Sequence, residues 1–245
     1  MTIRLICILF SIIAVLSANS YSDKSLSGYS NSKILELKKS PDFTITGNGS
    51  DKNWTKTEWL DIPLRTLPGK SLTTKLKALY SQTGIYFLFN CQDKKLTATM
   101  NADFMDLWKE DAVEVFLWTD QGSPVYFEYE ISPLNHELPI LISNNKGDLV
   151  RWQPFHYDAD RKTRHATAVQ GGEMKSNANV AVWTAEFFIP YKLLRPLNNI
   201  QPQSGTRWRA NFYRVDYDNG EANWSWQLTG KSFHEYETFG TLLFD

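Results

Sequence analysis

The stretch Trp108-Lys109-Glu110-Asp111-Ala112-Val113-Glu114-Val115-Phe116-Leu117-Trp118, followed closely by Val125-Tyr126-Phe127-Glu128-Tyr129-Glu130-Ile131-Ser132, decides the fold. From Ala112 to Trp118 and from Val125 to Ser132 the chain alternates with a period of two, the signature of a strand with one face turned to a core. In the first, Val113, Val115 and Leu117 share a face, and Glu114 shares the other with Ala112, Phe116 and Trp118. In the second, Phe127, Tyr129 and Ile131 share a face, and Glu128 and Glu130 lie opposite. β-branched and aromatic residues dominate both, as strands favour.

Working outward, similar short runs recur between turn residues. Before the pair they are Ile34–Leu37, Phe43–Thr46, Lys75–Ser81 and Ile85–Asn90. After it they are Leu138–Ile142, Ala166–Gln170, Val180–Ile189, Arg207–Val215, Trp224–Leu228 and Thr241–Phe244. Only short helices are expected; one is Tyr191–Leu194, opened by Pro190 and stopped by Pro196. Many short strands and no long segment of period 3.6 predict an all-β fold: an antiparallel, jelly-roll-like β-sandwich with one or two short helices. No internal repeat is visible, and 245 residues suit a single sandwich domain, expected over residues 34–245.

The N-terminus predicts export. Arg4 supplies a positive n-region, and Leu5–Leu16 is apolar except for Ser11, too short to span a bilayer. Ala18 and Ser20 are small residues before a cut at Tyr21. Residues 1–20 therefore read as a signal peptide and 21–33 as a flexible leader, which makes the mature protein secreted or periplasmic with no later membrane span. Losing Arg4 leaves 26 − 1 = 25 basic against 27 acidic residues. Such a chain has no basic excess to draw nucleic acid. Cys7 leaves with the signal, so Cys91 has no disulfide partner and reads as a buried, inert thiol.

Catalytic motifs are largely missing: no nucleophile elbow, Walker loop, dinucleotide fingerprint or H-E-x-x-H. His136, His156, His165 and His234 are scattered, and none makes a close metal-ligand pair with another His. Glu114 draws interest because a carboxylate on an aromatic face must be hydrogen-bonded. It is either an acceptor for ligand hydroxyls or a buried acid satisfied by backbone N–H groups or an Arg. Trp108, at a loop–strand junction, is either core or an exposed platform. Asp103 and Asp106 could join a calcium site, since hard cations take loop oxygens.

The order and spacing of several segments resemble the family 9 carbohydrate-binding modules over residues 43–245. Carrying the resemblance are Ile45-Thr46-Gly47-Asn48-Gly49-Ser50-Asp51 with Trp54, the run Gly84–Asp93, the Trp108–Phe116 segment and Tyr126–Pro133. Trp183–Glu186 with Ile189-Pro190, Trp208–Arg214 and the close Phe233-His234-Glu235-Tyr236-Glu237-Thr238-Phe239-Gly240 complete it. The resemblance implies a β-sandwich that holds a sugar between two rings. Trp108 and Phe233 take the ring positions, and Glu114 accepts hydrogen bonds from sugar hydroxyls. It also implies structural calcium, although no cofactor is required for binding. This sequence departs from the family in three places. Tyr236 stands where Pro is usual, Phe233 replaces a larger ring, and Glu128 appears where attached modules use an Arg.

The expected function is therefore non-catalytic binding of a glycan or oligosaccharide, in support of polysaccharide use. Two alternatives stand beside it. One is a glycoside hydrolase pairing Glu114 with Glu128 or Glu130, which needs two carboxylates across one bond. The other is a haem-carrying sandwich with Met100, Met105 and a His as axial ligands.

Overall fold

The computed structural model describes residues 33–66, 72–218 and 220–245. The expected signal peptide at 1–20 and all of the leader but Lys33 lie outside the described residues. The described chain holds thirteen strands and no helix longer than a five-residue 3-10 segment. No helix among the described residues is long and apolar enough to cross a membrane.

The strands form two sheets. The first contains β5 (Ala112–Trp118), β6 (Val125–Ile131), β7 (Glu137–Asn145), β8 (Asp148–Pro154), β11 (Arg207–Asp216), β12 (Ala222–Ser225) and β13 (Gly240–Phe244). The second contains β2 (Leu60–Ile62), β3 (Thr74–Tyr80), β4 (Gly84–Gln92), β9 (Arg164–Gln170) and β10 (Val182–Pro190). Strand β1 (Ile34–Lys39) joins them, making the order β8-β7-β6-β5-β11-β13-β1-β3-β4-β10-β9, with β12 on β11 and β2 on β3. Its first residues, Ile34–Leu37, pair with β13, and Lys38 and Lys39 pair with β3. A strand that switches sheets in this way makes a corner of the sandwich. Both of its pairings are parallel, whereas every other strand pairing is antiparallel.

The period-two pattern produces the core as expected. Val113, Val115, Leu117, Phe127, Tyr129 and Ile131 all enter the main cluster, where they meet Phe87, Phe89 and Phe187 of the second sheet. Aromatic pairs bridge the sheets, with Tyr129 and Phe187 centroids 4.7 Å apart and Phe87 and Phe212 5.8 Å apart. Cys91 is wholly buried in this cluster, and burial pushes its thiol up to about 12, which keeps it an inert thiol.

Three local expectations change. Phe43–Thr46 is extended but pairs with no strand. Its polar groups turn instead to the buried Glu186 on β10, which accepts hydrogen bonds from Thr46 N (2.9 Å), Thr46 Oγ1 (2.7 Å), Gly47 N (2.7 Å), Gly49 N (3.2 Å) and Trp54 Nε1 (2.8 Å). Tyr191–Leu194 is a succession of turns, closed by bonds from Leu193 N to Pro190 O and from Leu194 N to Tyr191 O, both of the tight i to i−3 kind. The helical segments that do form are 3-10 turns at Lys52–Lys56, Leu107–Lys109, Ala159–Arg161 and Tyr236–Thr238.

Every residue of β5 is buried, so the sheet is covered on its outer side too. There Phe116, Trp118 and Tyr126 form a second cluster with Ile140, Ile142, Tyr213 and Phe239. Phe233 and Tyr236, from the connection before β13, pack against it, as do Met100 and Phe104 from the connection before β5. These two connections frame the functional site.

Candidate functional site

A cavity of about 540 Å³ opens on this outer face. Its floor is built by the side chains that alternate away from the core: Glu114 and Phe116 on β5, Glu128 and Glu130 on β6, and Ile140 and Ile142 on β7. Trp108, Trp152 of β8 and Phe233 also line it. The structure thus brings Trp108, Glu114 and Phe233 into the lining of one cavity.

Trp108 sits in the 3-10 turn Leu107–Lys109, which is anchored by the buried Leu107. Its backbone N donates to Glu130 Oε2 at 2.9 Å, and its carbonyl accepts from Tyr217 Oη at 3.0 Å. The residue is 42% exposed, so Trp108 is no core residue. Lys109 Nζ lies 4.9 Å from the ring centroid and pairs with Asp106 at 2.6 Å. Phe233 differs: its ring stacks on Tyr213 at 4.1 Å with 10° between planes, and its carbonyl accepts from Tyr213 Oη at 2.7 Å. One face of Phe233 is therefore spent inside the protein.

Sequence reasoning missed Trp152. The residue is 39% exposed, and Leu149 of the same strand lines the cavity with it. A signal existed. Lys146 and Gly147 both have positive φ (52° and 90°) and form the two-residue link between β7 and β8. A Gly in such a link between two apolar runs marks a hairpin.

The floor concentrates acid. Glu114 is 2% exposed, Glu128 4% and Glu130 0%. Glu114 and Glu130 are directly opposite on β5 and β6. Burial raises all three carboxyls, Glu128 to about 8, and repulsion from its neighbours raises Glu114 and Glu130 further. His234 lies beside them, its Nδ1 3.9 Å from Glu128 Oε2 and 2.6 Å from Tyr126 Oη. Burial pushes its imidazole down to about 4, so it is neutral at pH 7 and offers the acids no charge.

A second acidic group lies elsewhere. Asp103 accepts from Glu137 N and Asp106 pairs with Lys109, so neither joins a cluster of possible metal ligands among the described residues. That cluster is Asp93, Asp111 and Asp218, whose ligand oxygens lie within 4.8 Å of one another. Burial pushes Asp93 up to about 6 and Asp111 up to about 8. Asp218 Oδ2 is buried without a hydrogen-bond partner. The buried Arg214 pairs with Asp93 (3.0 Å) and Asp216 (2.8 Å), and so offsets only part of the charge. An all-oxygen donor set with unspent negative charge fits a hard cation such as Ca²⁺.

Residues 45–245 match the sequence profile of a family described as carbohydrate family 9 binding domain-like. A protein of Arthroderma benhamiae named "Extracellular protein" is 25% identical over 151 residues, 58% of this chain. The match spans 63% of that relative's length. Among solved structures, a Bacteroides uniformis protein superposes with a TM-score of 0.70 at 16% identity, over 88% of this chain and 100% of its own. A carbohydrate binding module family 9 from Caldicellulosiruptor kristjanssonii, in complex with cellotriose, gives 0.62 at 16% identity over 87% of this chain and 94% of its own.

Proposed function

The chain belongs to the carbohydrate family 9 binding domain-like family, and from that premise we propose that it is a secreted, non-catalytic protein that binds a glycan or oligosaccharide in the cavity on the outer face of the first sheet. One observation carries the placement: Trp108 offers an exposed side chain to a cavity whose floor holds three carboxyl groups. A pyranose has a C–H face that suits a flat ring and hydroxyls at its rim that suit carboxyls. Glu114 is the acceptor in this reading, and Phe233 contributes an edge of the wall. Stacking of this kind adds about 1–3 kcal/mol per ring by analogy with base stacking, so the affinity is micromolar, about 8 kcal/mol.

Glycoside hydrolysis is the weaker reading, on geometric grounds. Glu114 and Glu130 are cross-strand neighbours on one floor, with Glu128 beside them. A glycosidase needs its acid and its nucleophile or base on opposite sides of the bond. The haem alternative fares no better, since neither Met100 nor Met105 lines the cavity. Family likeness and donor chemistry also support a structural Ca²⁺, which Asp93, Asp111 and Asp218 would hold. It would offset their charge and take no part in binding.

A polysaccharide and oligosaccharide panel tests the proposal. Binding should quench Trp fluorescence. Trp108→Ala should abolish most binding while the melting temperature stays nearly constant, because the backbone bonds of Trp108 survive and its exposed ring contributes little to the core. A variant that binds as before, or that melts far lower, refutes this role for Trp108. Release of reducing sugar by the native protein refutes the non-catalytic reading.

A further inference from the structure

We propose that the cavity selects a sugar bearing a free ammonium group, a hexosamine, because three buried carboxyls converge on its floor beside the exposed Trp108. The inference rests on the carbohydrate reading above and specifies its ligand class.

Glu128 Oε2 and Glu130 Oε1 are both buried without an N–H or hydroxyl donor, and only a proton shared between the two carboxyls bonds them, while both side chains line the cavity. Each unpartnered buried polar oxygen costs free energy, and that cost is recovered when a donor arrives. The nearby charges do not serve. Lys109 is paired with Asp106, and Lys231 is exposed to solvent. His234 is neutral at pH 7. Burial raises all three glutamates, repulsion adds to it at Glu114 and Glu130, and Glu128 and Glu130 share a hydrogen bond, so the floor holds protons that an incoming cation would displace.

A bare metal ion fits poorly here, since much of the lining is apolar: Ile140 and Ile142 on the floor, and Leu149, Trp152 and Trp108 on the walls. A ligand must present an apolar face to those walls and a positive charge to the floor. A hexosamine ring does both, and its ammonium above Glu114 feels all three carboxyls. Binding then moves protons from the floor to solvent and strengthens as pH rises, until the ammonium itself loses its charge. Tyr217, Glu221, Lys231 and His234 complete the set of ionisable groups lining the cavity.

Calorimetric titration tests this with a fully deacetylated chito-oligosaccharide, its N-acetylated counterpart and a cello-oligosaccharide of equal length, at neutral pH with EDTA present. The deacetylated sugar should bind about tenfold more tightly than either neutral one, the change that one charge-assisted hydrogen bond brings. Its heat should vary with the buffer's ionisation enthalpy, reporting proton release, and the neutral sugars' heat should not. In Glu128→Gln the preference ratio should fall. If that variant does not fold, proton release by the native protein carries the test. Equal affinity for charged and neutral sugars overturns the inference and leaves carbohydrate binding intact. Competition by spermidine at equal affinity overturns it by removing the sugar. Binding of none of the three overturns it too, and the wider panel then judges the carbohydrate reading separately.

Discussion

Glu186 shows how a short motif can be legible in sequence while its purpose is not. The segment Ile45–Asp51 with Trp54 pointed to a family, yet nothing in it announced a carboxylate on β10 as its centre. The structure supplies the reason: Glu186 gathers backbone and side-chain donors from Thr46, Gly47, Gly49 and Trp54. Gly47 takes part at φ 86°, and an added Cβ there would lie 2.9 Å from Thr167 O. Charge-assisted bonds in a buried site are strong, and leaving several donors unpaired costs about 1–3 kcal/mol each. Glu186→Ala should therefore lower stability by about 3 kcal/mol or more in chemical denaturation. A smaller loss is expected for Phe233→Ala, because its stack on Tyr213 is half-buried; aromatic pairs of this kind contribute about 0.5–1.5 kcal/mol beyond area. Its effect on binding should be weaker than that of Trp108→Ala.

At the scale of elements, β8 carries the unexpected share of the site. It is an edge strand whose Leu149, Val150 and Trp152 are exposed, although exposed apolar edges are usually blunted. Two of the three, Leu149 and Trp152, line the cavity. Trp152→Ala should accordingly weaken glycan binding several-fold with little change in melting temperature, measured by titration and calorimetry; unchanged binding would remove β8 from the site. Most strands were legible because alternation reports directly which face meets the core: Ala112–Trp118 has the bounds expected of it, and Val125–Ile131 ends one residue sooner. β8 was not, because its residues are largely solvent-exposed and do not alternate in burial. Phe43–Thr46 misled for the opposite reason, being apolar in pattern but bonded to a side chain. As for the cavity, sequence could pair Trp108 with Glu114 by proximity and Phe233 by resemblance. The clustering of Glu128 and Glu130 beneath them depends on β5–β6 register, which only the fold fixes.

Over the whole molecule, two buried acidic groups act in the same direction on stability. Glu128 and Asp111 are raised to about 8 and Asp93 to about 6, against ordinary values near 4. In each case burial is the first cause, so the folded protein holds protons that the unfolded chain has already released. Stability from these groups is fully present below about pH 4 and is lost as pH rises through 6 to 8. Carboxyls lowered by hydrogen bonds, such as Asp42 and Glu110, act oppositely, but their contribution disappears only as pH falls below the ordinary carboxylate range. His234, pushed down to about 4 by burial, opposes them inside the window by gaining stability as pH rises from 5, but it is one group against three raised acids, so between pH 5 and pH 8 the raised groups set the sign. Metal-free protein in EDTA should melt at a lower temperature at pH 8 than at pH 5, followed by scanning calorimetry. Calcium should narrow the gap from the alkaline side, because Asp93, Asp111 and Asp218 can bind it only as carboxylates. Asp111→Asn should flatten the metal-free profile and abolish the calcium response together, whereas Glu128→Gln should flatten the profile and leave the calcium response in place. A calcium response that survives Asp111→Asn would place the ion elsewhere, and a melting temperature that rises from pH 5 to pH 8 in EDTA would mean that these acids are ionised in the fold.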